Sequence, residues 1–129
     1  MKRIILGLSL VLMLAQNGFA TSDEELDKLI ANTTDKRTKA LYRCDKTTNH
    51  IRNGDVNVCI KALKLVSKDY PHEKEIRSLL MVKIGVLYYF SEKNYVKAYE
   101  YNMKAAKLGN TQAKSNLDII CREQSWVCK

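Results

Sequence analysis

Proline is nearly missing from the 129 residues, with Pro71 the only one, and glycine is scarce at five. Two of those glycines, Gly7 and Gly18, fall in the first twenty residues. What remains is almost none of the punctuation that a sheet of short strands needs at its turns, and no strand pattern competes with a helical one. Histidine is just as thin. His50 and His72 each lie at a helix boundary, where a solvated side chain is the plainer reading than a catalytic base. No G-x-S-x-G elbow, H-E-x-x-H helix, phosphate loop or paired-carboxylate pattern occurs, so no catalytic residue, metal or cofactor is expected. Nor is any basic run interleaved with aromatics in the way a stacking platform for nucleic acid requires.

The first twenty residues differ from the rest. Lys2 and Arg3 make a positive start, Ile4 to Leu14 form an apolar run broken by Gly7 and Ser9, and Gly18-Phe19-Ala20 supplies a small-x-small pattern. The run is short for a bilayer span, which points to a bacterial export signal over 1–20, cleaved after Ala20; a retained N-terminal anchor is the alternative. Cleavage leaves residues 21–129, which suit a single domain with a modest core, placed in the periplasm or outside the cell and without a membrane span. Loss of Lys2 and Arg3 takes the formal charge from +8 to +6. Acidic residues gather early (Asp23, Glu24, Glu25, Asp27), and lysines dominate from Lys36 onward. Such a surface favours an anionic partner, such as an acidic protein, lipid headgroups or cell-wall polymers; a merely solvated lysine face is the alternative.

Apolar residues recur at three and four throughout. A first helix is expected from Ser22, its cap, with Leu26, Leu29 and Ile30 inward. A second, capped by Asp35, turns Leu41, Cys44 and Ile51 inward. Asn53-Gly54-Asp55 reads as a turn, with Asp55 capping a third helix that carries Val56, Cys59, Leu63, Val66 and Tyr70 and stops before Pro71. The fourth is the most apolar and runs through Ile76 to Phe90. Asn94 opens the fifth, with Ala98, Tyr101, Ala105 and Leu108 on one stripe and Gly109 as its stop. Thr111 is expected to cap a sixth through Ala113, Leu117 and Ile120. The fold class is all-α.

Two segments superpose at a shift of 39 residues: 55–71, "DVNVCIKALKLVSKDYP", over 94–110, "NYVKAYEYNMKAAKLGN". Cys59 then matches Ala98 and Val66 matches Ala105. Compact residues seven apart suit two antiparallel helices at their closest approach. The segment 84–110, with Gly85, Tyr88, Lys97-Ala98, Tyr101, Ala105-Ala106 and Gly109, resembles a Sel-one-like repeat, a relative of the tetratricopeptide repeat. The unit from Leu41 to Pro71 is similar, with Thr47 and Thr48 where glycine or alanine would be expected. The resemblance implies a short right-handed α-solenoid of about two antiparallel helix-pair repeats plus a capping C-terminal helix. A non-repeating helical bundle is the alternative.

Cys44, Cys59, Cys121 and Cys128 form an even set, which in an exported small protein favours two disulfides. Four cysteines allow three pairings. Cys44 and Cys59 are nearly equidistant from the Asn53-Gly54 turn and can face each other across a hairpin. Cys121 and Cys128 lie seven apart, about 10 Å along a straight helix and beyond the roughly 7 Å that a disulfide spans. Their pairing therefore requires the helix to end near Gln124-Ser125 and the tail to fold back, bringing Trp126 against the core. Cysteine-rich Sel-one-like proteins similarly staple the two helices of a unit. A zinc site is the rival, but the ligand spacing is wrong and no histidine is near.

The resemblance implies an exported protein-binding module without catalytic activity, with Gly85, Ala98, Ala105 and Gly109 as packing positions. Adjacent tyrosines point to different faces, so Tyr88, Tyr89, Tyr99 and Lys97 are the candidate partner contacts. Two alternatives come with the family. One is an immunity protein that neutralises a delivered toxin in the periplasm, which gene order would test. The other is a β-lactam-binding or hydrolysing activity, for which no nucleophile and base are apparent.

Overall fold

The computed structural model describes residues 21–129, and the expected export signal, residues 1–20, lies outside the described residues. Among the described residues there are six α-helices, one closing 3₁₀ turn and no strand: α1 (Asp23–Asn32), α2 (Lys36–Thr48), α3 (Val56–Asp69), α4 (Lys74–Phe90), α5 (Tyr95–Lys107), α6 (Thr111–Glu123) and η1 (Ser125–Cys128). The chain is all-α. Five helices start on a short polar side chain that accepts one of the free N–H groups of the first turn. Ser22 accepts from Glu25, Asp35 from Thr38, Asp55 from Asn57, Asn94 from Lys97 and Asn110 from Ala113. Asn110, rather than Thr111, caps α6. It is the extended residue between Gly109 and the helix, so Thr111 is already helical.

Each helix packs chiefly on its neighbours in sequence, and η1 folds back onto α6 and α5. Short connections make such neighbours antiparallel. Two core clusters result. One joins Ala40 and Cys44 of α2, Val56, Cys59, Ala62 and Val66 of α3, and Leu80, Ile84 and Leu87 of α4. The other joins Met81, Val82, Val86, Tyr89 and Phe90 of α4 to Ala98 and Ala105 of α5 and to Ala113, Ile119 and Ile120 of α6. Because α4 feeds both clusters, it needs apolar residues nearly all round.

Several inward positions differ from the periodic expectation. Tyr70 is the C-terminal cap of α3 and 46% exposed, with the Arg37 guanidinium 4.4 Å above its ring. Ala62 and Val66 fill the inward face there instead. Ile51 lies in the turn after α2, half-buried against the core. Leu29 is exposed because α1 packs chiefly on α2 alone, and only Leu26 is buried. The Thr47 hydroxyl accepts a hydrogen bond from the backbone N–H of Asp55 at 2.6 Å, which ties the end of α2 to the entry of α3 and which neither glycine nor alanine could replace.

Polar contacts hold α1 in place. His50 Nε2 lies 2.5 Å from Asp23 Oδ2, while the Asn49 amide donates to Asp23 Oδ1 and to the carbonyl of Thr21. Lys46 reaches Asp27 at 2.8 Å. The hydrogen bonds from His50 and then Asn49 hold the Asp23 carboxyl below its ordinary 3.8. Those from Thr38 do the same for Asp35 at the start of α2. A carboxyl with a lowered folded-state pKa stabilises the fold above its unfolded value, and that contribution fades as pH falls through the lowered one. Acidification below about 3.8 is therefore expected to loosen α1 and the first turn of α2 first. Amide hydrogen exchange across pH ~5 to ~2.5 measures this; protection lost equally from α1 and α4 would refute it.

Candidate functional site

Both expected disulfides are present. Cys44 and Cys59 are bonded with Cα atoms 4.6 Å apart, and both residues are fully buried between α2 and α3. Cys121 and Cys128 are bonded at a Cα separation of 5.7 Å. Helix α6 ends at Glu123, Gln124 leaves the helical region, and η1 carries Cys128 back. Trp126 does not join the core. It is 58% exposed, and its indole Nε1 donates to Gln124 Oε1 at 3.1 Å. The bond draws Cys128 inward, and on a three-residue turn a position two earlier faces away.

The small residues mark a close approach. Ala98 and Ala105 are fully buried. A Cβ on Gly85 would lie 2.5 Å from Asn102 Nδ2 and 3.3 Å from the carbonyl oxygen of Ala98, so α4 and α5 meet with no room for a side chain. Gly109, with φ +94°, closes α5 in the left-handed region that glycine adopts freely. The buried stripe of α5 is Ala98, Asn102 and Ala105, while Tyr101 is half-buried to one side. Asn102 donates to the Ala98 carbonyl at 2.8 Å and accepts from Asn116 Nδ2 at 3.2 Å. Asn116 likewise takes the inward place expected of Leu117, which is half-buried, and its own Oδ1 is buried without a hydrogen bond. Polar residues are invisible to an apolar periodicity, and only the need for a short, hydrogen-bonding side chain opposite Gly85 signals Asn102.

Of the four candidate contacts, Tyr89 is removed: it is buried, edge-on to Phe90 and Tyr95. Tyr99 is half-buried against the α4–α5–α6 core, and Lys97 is exposed. Tyr88 is half-buried and stacks on Tyr101 with ring centroids 5.7 Å apart. Lys97 stands 6.0 Å from the Tyr88 ring, and Lys104 stands 4.8 Å from that of Tyr101. Burial, and then the Tyr88 hydroxyl, raise the Tyr101 hydroxyl above its ordinary 10.0, so it stays protonated as a donor. Lys97, Tyr101 and Lys104 occupy successive turns of one face of α5, with the exposed carboxylate of Glu100 between the two lysines, and with Tyr88 they form an aromatic strip that carries two lysines against one carboxylate.

Elsewhere, a hollow of about 410 Å³ beside the α5–α6 turn is lined by Glu75, Ser78, Leu79, Leu108 and Asn110 among others, and none of the candidate tyrosines borders it. Among the described residues no three His, Cys, Asp or Glu side chains converge as a metal site would require. No described helix is long and apolar enough to cross a membrane. Comparison with known proteins finds no matching family model, no matching curated protein and no matching solved structure.

Proposed function

We propose that the chain is an exported helical-repeat module of the Sel-one-like kind, which binds an acidic protein partner and carries out no chemistry of its own. The observation that carries this reading is the strip on α4 and α5, where the Tyr88–Tyr101 stack lies between Lys97 and Lys104. Tyrosine supplies contact area at little entropic loss, and lysines at the rim steer and orient an anionic surface. Two disulfides suit an oxidising compartment such as the periplasm or the extracellular space. The pairs α2–α3 and α4–α5, each packed on the next, support a short right-handed α-solenoid of two units with α6 as its cap.

Charge reversal tests the reading. The Lys97→Glu/Lys104→Glu variant is expected to retain at least about tenfold less of the protein that wild type captures from a native envelope extract, because like charges are then brought together. The Lys61→Glu/Lys114→Glu variant carries the same change in net charge at exposed positions on α3 and α6. It should retain most of that protein. Equal retention by the two variants would show that the strip is not the contact.

A further inference from the structure

The Cys121–Cys128 bond serves no core. It closes the shorter of the two loops, with a sequence separation of 7 against 15, and η1 buries none of its own residues. What the bond does fix is the place of Trp126, the only tryptophan of the chain and the most exposed of its large apolar side chains among the described residues. The indole N–H donates to Gln124 Oε1 within the same turn, which favours one setting of the ring. Arg122 and Lys129, both exposed, stand four residues before it and three after. η1 rests on α6 and α5, and Val96 in the first turn of α5 is also exposed, at 43%.

An exposed tryptophan on a disulfide-closed turn, with its indole N–H hydrogen-bonded within that turn and two exposed cations as near sequence neighbours, has the composition of an interface anchor. Tryptophan leads the residues that dominate binding energy, and a side chain ordered in advance loses little entropy on docking. We propose that the disulfide-closed loop 121–128 presents Trp126 as a preformed anchor that enters an apolar cleft with a carboxylate rim on a protein partner. This inference rests on the protein-binding reading above and adds a second contact, separate from the Tyr88–Tyr101 strip.

Site-specific photo-crosslinking of the full chain in the cells that express it tests the anchor. The probe is benzoylphenylalanine, placed in separate variants at Trp126, at Lys97 in the strip and at Lys61 on α3. Trp126→benzoylphenylalanine is expected to give a discrete protein adduct at about tenfold or more the yield from position 61, as befits a central contact. Opening the loop with Cys121→Ser/Cys128→Ser should cut that yield severalfold while the helix content by circular dichroism stays unchanged. An adduct from position 97 but none from 126 overturns the anchor and leaves the protein-binding reading standing. No adduct from any of the three overturns both. A phospholipid adduct at 126 replaces the protein cleft with a membrane surface, and an unchanged yield after the loop is opened removes the role of the disulfide.

Discussion

Replacing Cys44 and Cys59 together by alanine is expected to lower the stability of the domain by about 3 kcal/mol, the loop-closure value for a separation of this size. The bond spans 15 positions and joins α2 to α3. Both cysteines are fully buried and sit among Ala40, Val56, Ala62, Val66, Leu80, Ile84 and Leu87. Without the bond, the unfolded chain regains freedom across the Asn53-Gly54 turn, whereas the folded hairpin stays ordered by its packing. Domains of this size have a total stability of only about 5–15 kcal/mol, so the loss is a large share of it. It should appear as a fall in melting temperature on the order of 10–20 °C, followed by far-ultraviolet circular dichroism. The Cys121→Ala/Cys128→Ala variant should shift less. There the folded state gains freedom too, because η1 has no buried residue to hold it once the bond is gone. A Cys44/Cys59 variant melting within about 3 °C of wild type would show that packing alone holds the hairpin.

Much of this frame could be read from the sequence, and the reasons are local. Ser22, Asp35, Asp55 and Asn94 announce helix starts because a cap acts within three residues of its own position. The pairing of Cys44 with Cys59 follows from counting outward from one turn, and that of Cys121 with Cys128 requires only that the helix end between them. The positions that were not legible depend on what lies across from them. Asn102 and Asn116 are core residues because Gly85 leaves a gap that only a short side chain fills and because the Asn116 amide finds its acceptor in Asn102. Tyr89 is core and Tyr88 half-buried although both are tyrosines on one helix; α5 and α6 cover one more fully than the other. Trp126 faces outward although its size and apolar ring argue for burial, since the geometry of a single 3₁₀ turn decides its direction.

The contact at Gly85 gives the second large effect, and its sign depends on the residue opposite. Alanine is the better helix former by about 1 kcal/mol, so Gly85→Ala would stabilise α4 if the site were open. It is not open. The added methyl would lie 2.5 Å from Asn102 Nδ2, and that amide cannot swing aside freely, because it is buried, donates to Ala98 and accepts from Asn116. Displacing it breaks two buried hydrogen bonds or pushes α5 away from α4, so Gly85→Ala is expected to destabilise by about 1–3 kcal/mol despite the propensity gain. Asn102→Ala alone should also destabilise by about 1–3 kcal/mol, since it strands the Asn116 amide in the core. Combined, the two changes should not add. With Asn102 shortened, the tightest contact left to the Gly85 methyl is the Ala98 carbonyl at 3.3 Å, which a shift of a few tenths of an ångström relieves. In that background Gly85→Ala should therefore be neutral or stabilising by up to about 1 kcal/mol, a reversal of sign that urea denaturation of the four-member cycle would reveal. Strictly additive effects would mean that α4 and α5 do not meet through Gly85 and Asn102, and the close approach would have to be sought at Ala98 and Ala105 alone.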